Sequence, residues 1–251
     1  MHAIDLNADL GETVRGLPTA DDAAMFAVVS SASIACGGHA GDHASMRVAV
    51  AAAEAGSVAV GAHPSFRDTA NFGRVRIAVG AAELRADVTA QLDALAAAGA
   101  DIRYVKPHGA LYHAVSAERA AAEAVAASVA ELSARLGRAV PVLGLDGEIV
   151  AATAAAGLAF VREAFLDRGY RADGTLVPRG EPGALLHDVG EVAERAVRLA
   201  VERAVVAVDG TVLATDAASL CVHGDSPGSV AMAHAARRAL TAAGVAVRAP
   251  W

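Results

Sequence analysis

Apolar residues fall into short unbroken runs, separated by longer stretches with helical spacing. AIDLNAD (3–9), SIACGGH (33–39), VAVGAHP (58–64), IRYVKPH (102–108), VPVLGL (140–145), LAFVREAF (158–165) and SLCVHGD (219–225) each predict a strand. The runs are read as continuous rather than alternating, as in strands covered on both faces. Helices are predicted over 81–98, 117–136, 188–203 and 228–243. Gly56, Gly99, Gly137, Gly157 and Gly244 fit the left-handed position that ends a helix. Asp21 or Asp22, Asp42 and Ser116 fit caps at helix starts.

Strand and helix alternate, so the strands are expected to be parallel with right-handed crossovers. The count predicts an α/β chain built as a seven-stranded β/α barrel, with VAVRAP (245–250) as a candidate eighth strand. VVAVDGTVLA breaks the pattern. Its Asp209-Gly210 pair between β-rich runs predicts a small hairpin insertion near 205–215. An open doubly wound sheet is the rival, and it would be expected to carry a glycine-rich phosphate fingerprint, which the sequence lacks. No linker or biased segment interrupts the chain, which is read as one catalytic domain over 1–251.

Composition removes several function classes. Hydrophobic residues make up 55% of the chain, but alanine is the cause, and no uninterrupted apolar run reaches the roughly eighteen residues of a membrane span. The N-terminus enters a strand at once, so no secretory leader is expected. A net charge of −7 argues against nucleic acid and anionic membranes as partners. Cys36 and Cys221 sit in apolar runs and are expected as buried thiols, which points to a reducing, cytoplasmic setting.

The strands end in polar residues, where parallel α/β folds place their sites. Asn7, Asp9 and Glu12 follow the first, His39 and Asp42 the second, and His63 the third. Lys106, His108 and Tyr112 follow the fourth; Glu163, Asp167, Arg168 and Tyr170 lie on or after the sixth; His223 and Asp225 close the seventh. Four of nine histidines thus close an apolar run. One alone would be an ordinary structural residue, whereas four at equivalent places point to a shared mouth.

Three chemistries can use such a rim. A metal can take Asp9, His39 and His63, with His108 completing the set; His39 and His43 are also spaced i, i+4, although His43 is expected to be an exposed first-turn residue. General acid–base catalysis can use the His and Asp residues, with Lys106 stabilising negative charge. Nucleophilic catalysis by Ser65 or Ser226 has only nearby histidines in its favour. For anions there are two candidates. One is HGDSPG (223–228) leading into a helix, where simple capping by Asp225 or Ser226 is equally open. The other is Arg179 ahead of a glycine and a helix start. The polar loop GAHPSFRDTANFGR (61–74) has the length of a binding loop, with Phe66 and Phe72 as a cover or as anchors.

IDLNADLGE, IACGGHAGD, GAHPSFRDTANFGR, VKPHGALY, REAFLDRGYRADGTLVPRG and CVHGDSPG, in this order, resemble the LamB/YcsF family over about Ile4 to Val247. The resemblance implies a distorted seven-stranded barrel of the glycoside hydrolase/deacetylase type. It implies the A subunit of an ATP-dependent 5-oxoprolinase, which opens 5-oxoproline to glutamate with ATP shared with partner subunits B and C. On this reading Asp9, His63, Lys106, His108 and Glu163 are catalytic. Asn7, His39, Asp42, Arg168, Tyr170, Arg179, His223 and Asp225 bind substrate. In more detail, Asp9 is expected to activate water, and Glu163 and Arg168 to orient the amino-acid end of the substrate. The alternatives are a metal-dependent deacetylase-like hydrolase using Asp9, His39 and His63 around a divalent ion, and a non-catalytic substrate-binding subunit. Self-association is open. The family's second motif usually carries a large aromatic where Gly38 stands and often a proline in place of His43. A glycine at 38 is expected to open the wall beside His39.

Overall fold

The computed structural model describes residues 3–251. Seven parallel strands close into a barrel: β1 (Ala3–Leu10), β2 (Ser31–Ala35), β3 (Ala59–His63), β4 (Ile102–Val105), β5 (Val142–Gly144), β6 (Phe160–Phe165) and β7 (Ser219–Cys221). They pair in chain order, and β7 returns to β1 through Asp5↔Ser219, Leu6↔Leu220 and Asn7↔Cys221. The barrel is distorted as expected: β4 and β5 pair at Val105↔Val142 alone, and the β3–β4 register shifts between Val60 and Gly61. The candidate eighth strand, β8 (Ala246–Val247), lies outside the ring and extends β1 at Ala3↔Ala246.

Helices wrap the barrel: α1 (Asp22–Phe26), α2 (His43–Gly56), α3 (Ala81–Ala97), α4 (Gly109–Ala117), α5 (Arg119–Leu136), α6 (Glu148–Ala155), α7 (Val189–Val197) and α8 (Ser229–Ala242). α7 continues into a π-helical turn, Arg198–Glu202. The alanines that raised the hydrophobic fraction let helices pack closely; α5 buries Ala121, Ala122, Ala124 and Ala126 beside Val125 and Val129. No helix of the described residues is long and apolar enough to cross a membrane.

Local signals held with a few corrections. Asp21 caps α1, and Asp42 forms a capping box with Ser45 at α2. Asp22 instead accepts from the Gly11 N–H, and Ser116 lies inside α4, where its hydroxyl donates to the Tyr112 carbonyl. Gly56 is the last helical residue of α2; Ser57, not a glycine, takes the left-handed φ of 53°. The expected hairpin is present as Ala204–Val206 against Val212–Ala214. A second small hairpin, Thr13–Val14 against Leu17–Pro18, follows β1.

The barrel interior departs from the expected continuous apolar pattern. Along β1, Asp5, Asn7 and Asp9 alternate with Leu6, Ala8 and Leu10, and every second residue meets polar partners. The Asp5 carboxylate accepts from the hydroxyls of Ser30, Ser31 and Ser219. Tyr104 of β4 shares a hydrogen bond with Ser33 at 3.0 Å and stacks on Trp251, whose indole donates to Ser31. A polar lumen is tolerable because its members satisfy one another.

Tyr104 fits because Gly61 stands opposite: a Cβ there would lie 2.2 Å from the tyrosine ring. Gly61→Ala is therefore expected to destabilise the fold by about 1–3 kcal/mol through overpacking. Urea unfolding measures this, and an unchanged midpoint would contradict it.

Candidate functional site

The carboxyl ends of the strands surround a cavity of about 420 Å³, lined by Asp9, His63, Arg74, Lys106, His108, Tyr112, His113, Phe165, Arg168, Arg179 and His223 among others. Its inner end is organised by Lys106. This residue follows β4 and is fixed by its backbone N–H on the Ala62 carbonyl. The residue is 1% exposed, and its ammonium donates to Asp9 Oδ1 at 2.9 Å, Asn7 Oδ1 at 3.1 Å and Cys221 Sγ at 3.2 Å, and lies 2.9 Å from Glu163 Oε1. Asn7 Nδ2 and the Tyr112 hydroxyl donate to the two oxygens of Glu163. Burial opposes the charge on Lys106, but Asp9, Cys221 and Glu163 hold its pKa well above the usual lysine value. Burial likewise opposes the Asp9 carboxylate, and His63 and Lys106 outweigh it, keeping Asp9 well below the ordinary range.

Beside this ion group stand two histidines joined directly. His63 Nδ1 lies 2.7 Å from the Lys106 carbonyl and His108 Nε2 lies 2.9 Å from the Phe72 carbonyl, so both outer nitrogens must donate. The inner nitrogens, His63 Nε2 and His108 Nδ1, are 2.9 Å apart. With both outer nitrogens donating, the inner nitrogens face each other as two lone pairs, an arrangement that calls for a shared proton or a bound cation between them. Burial and the neighbouring His39 and His63 hold His108 well below the usual imidazole range, and His63 Nε2 lies 3.3 Å from Asp9 Oδ2. His39 stacks on His108 with ring centroids 3.6 Å apart, and its Nε2 contacts Glu12 Oε1 at 2.9 Å. Burial raises the Glu12 pKa to about 8, with Asp9 adding to the effect.

A second histidine system comes from β6 and β7. His223 Nδ1 is held by both oxygens of Asp167, at 2.9 and 3.0 Å, and its ring stacks on Phe165. Burial opposes the Asp167 charge, but His223 overcomes it and lowers the pKa. Nε2 of His223 makes no hydrogen bond to the described residues, and the ring lines the cavity.

The structure thus gathers Asp9, His63, Lys106, His108, Arg168, Arg179 and His223 at one mouth. Asn7 and Glu163 stand behind Lys106, and His39 behind His108, away from the cavity lining. Three other candidates are turned elsewhere. Asp42 is an exposed helix cap. The Tyr170 hydroxyl accepts from the Phe165 backbone N–H in a separate buried place. Asp225 pairs with Arg74 at 2.5 Å, strapping the loop after β3 to the loop after β7. The start of α8 has no side-chain cap from Asp225 or Ser226, and Pro227 precedes the helix. Ser65 donates to the Phe66 carbonyl and bonds no histidine, while His43 is an exposed first-turn residue. Phe66 anchors its loop in the core, and Phe72 packs edge-on against His39 and His108. Gly38 does not open the wall. The Gln91 amide fills the space, bonded to both backbone groups of Ser65, so a Cβ on Gly38 would lie 2.3 Å from it. Glu12 and Asp167 were legible as rim residues but without a role, and Gln91 and His113 carried no signal.

The model of the LamB/YcsF family matches residues 4–250. The A subunit of 5-oxoprolinase from Streptomyces griseus subsp. griseus is 52% identical over 252 residues, covering 98% of this chain and 99% of its own length. Its counterpart from Mycobacterium avium is 52% identical over 255 residues, covering 99% of each. The crystal structure of the lactam utilization protein from Thermus thermophilus superposes with a TM-score of 0.90 at 41% identity, covering 98% of this chain and 99% of that one.

Removing Lys106 leaves Asp9 and Glu163 buried without their cation. Lys106→Met is expected to cost about 3–5 kcal/mol of stability, partly recovered in the double variant with Glu163→Gln. Chemical denaturation checks this; a loss under about 1 kcal/mol would show that the ion group does not hold the mouth together.

Proposed function

The chain belongs to the LamB/YcsF family, and we propose that it works as the A subunit of an ATP-dependent 5-oxoprolinase, a hydrolase that opens a cyclic amide. The observation that carries the mechanism is the presence, on one cavity, of the directly joined His63 and His108 and of an Asp167–His223 dyad.

A lactam is a poor electrophile because its nitrogen lone pair is delocalised onto the carbonyl. Transfer of a phosphoryl group from ATP to its oxygen gives an imidoyl phosphate with an electrophilic ring carbon. We assign that transfer to partner subunits B and C, because this chain has no phosphate loop. Water then adds to the ring carbon. His223 Nε2 takes a proton from it, Asp167 holding the imidazolium that results, and the His63–His108 pair gives a proton to the ring nitrogen. The adduct can now lose either phosphate or nitrogen. Loss of phosphate merely returns the lactam. With the nitrogen protonated, the carbon–nitrogen bond breaks instead, its electrons going to nitrogen, while the hydroxyl proton of the adduct ends on the amine. An acyl phosphate remains, and a second water hydrolyses it to the carboxylate and phosphate. One lactam, one ATP and two waters thus give glutamate, ADP and phosphate.

Lys106 stabilises the charge that develops on the adduct oxygen. It faces four acceptors with three protons, and the sulfur of Cys221, a weak acceptor, is the contact a substrate oxygen can replace. Asp9 was expected to activate water. With its oxygens engaged by Lys106 and His63 and its pKa low, it serves better to hold those two groups in place. Glu163 positions Lys106 rather than touching substrate.

A second reading has support from the same histidines. Glu12, His39, His63 and His108 each offer a ligand atom within 4.8 Å of the others. His39 Nδ1 is buried without a partner, and the outer nitrogens of His63 and His108 rest on backbone carbonyls as metal ligands commonly do. These residues fit a divalent ion, with Glu12 and His108 replacing Asp9 in the set expected from sequence. Such an ion would supply Lewis-acid activation of water or of the lactam oxygen.

Glutamate formation from 5-oxoproline and ATP is expected with the partner subunits present and absent from this chain alone. Asp167→Asn is expected to lower kcat by about 10²–10⁴-fold, and a Lys106→Ala variant with full coupled activity would contradict the mechanism. Elemental analysis of protein purified without added metal decides the second reading: a stoichiometric divalent ion lost in His39→Ala supports it, and none opposes it.

A further inference from the structure

One part of the cavity lining takes no role in the ring-opening steps. It is formed by Arg168, Arg179 and His113. Arg168 is 4% exposed, and its guanidinium donates to the Ala184 carbonyl at 3.0 Å and the Val177 carbonyl at 2.7 Å. Neither it nor Arg179 has a carboxylate within ion-pair distance among the described residues. The other cations of the lining are neutralised, Lys106 by Asp9 and Glu163 and Arg74 by Asp225. Arg168 and Arg179 are also close enough to act on each other. After burial itself, Arg179 lowers the Arg168 pKa, and both arginines lower that of His113.

Two uncompensated guanidinium groups around one cavity, one of them buried, call for a ligand carrying two negative charges. A lactam carboxylate brings one; a phosphoryl group brings two, with three oxygens to receive forked donors. We propose that Arg168, Arg179 and His113 form a subsite for the phosphoryl group of an O-phosphorylated lactam. His113, on the same wall, adds one hydrogen bond. This rests on the reading that the lactam reaches the cavity already activated, and it names the species that is opened: an O-phosphorylated lactam, the free ring binding in the same cavity but leaving this subsite unfilled.

Calorimetric titration of the full chain with inorganic phosphate, acetate and 5-oxoproline tests the subsite. Arg179 is partly exposed, so Arg179→Ala is expected to keep the wild-type Tm. It is expected to weaken phosphate binding by about tenfold or more, and to change 5-oxoproline binding by less than about twofold. His113→Gln, which keeps a donor, is expected to retain most of the phosphate affinity, whereas His113→Leu loses it. Phosphate binding unchanged by Arg179→Ala overturns the proposal. So does an equal loss for 5-oxoproline or acetate, which would make the wall a carboxylate site. Either failure leaves the ring-opening reading standing if Asp167→Asn still lowers coupled turnover by about 10²-fold or more. Full turnover in Asp167→Asn would sink that reading whatever phosphate does.

Discussion

The buried ammonium of Lys106 is the contact on which the rest of the mouth depends. It ties β1, β4, β6 and β7 together through Asn7, Asp9, Glu163 and Cys221, at the point where β4 and β5 barely pair. A buried charge of this kind is costly unless its partners are close and themselves satisfied. Asn7 and Tyr112 complete Glu163, and His63 completes Asp9, so the cost is met by one connected network. The same network keeps Asp9 ionised, with Lys106 on one of its oxygens and His63 against the other.

Much of this arrangement was legible in the sequence. Parallel strands must deliver their last residues to one end of the barrel, so Asp9, His63, Lys106 and His223 could be placed together from chain order alone. The Asp209-Gly210 turn and most helix ends were equally local and equally readable. What escaped were choices made by side chains after the strands end. Asp42, Tyr170 and Asp225 sit in the right segments, yet each finds a partner nearer than the cavity: a helix N-terminus, the Phe165 N–H and Arg74. The His63–His108 bond depends on carbonyls of Lys106 and Phe72 that no spacing reveals.

Two misreadings share one cause, the neglect of what faces a position across the barrel. The alternation Asp5, Asn7, Asp9 was visible in β1, but only the serines, tyrosine and lysine opposite make a polar lumen stable. Gly38 suggested an opening, but Gln91, more than fifty residues away in sequence, occupies the space. A missing side chain predicts a void only when the neighbouring element is also known.

The central claim is that substrate chemistry takes place against Lys106, between the two histidine systems. A crystal structure of the chain with 5-oxoproline bound tests it most directly. The expected result is the lactam oxygen on Lys106 Nζ in place of the Cys221 sulfur, the ring nitrogen toward His63 and His108, and the ring carbon open to a water on His223 Nε2. A ring bound on another face of the molecule, with this cavity left to solvent, would contradict it.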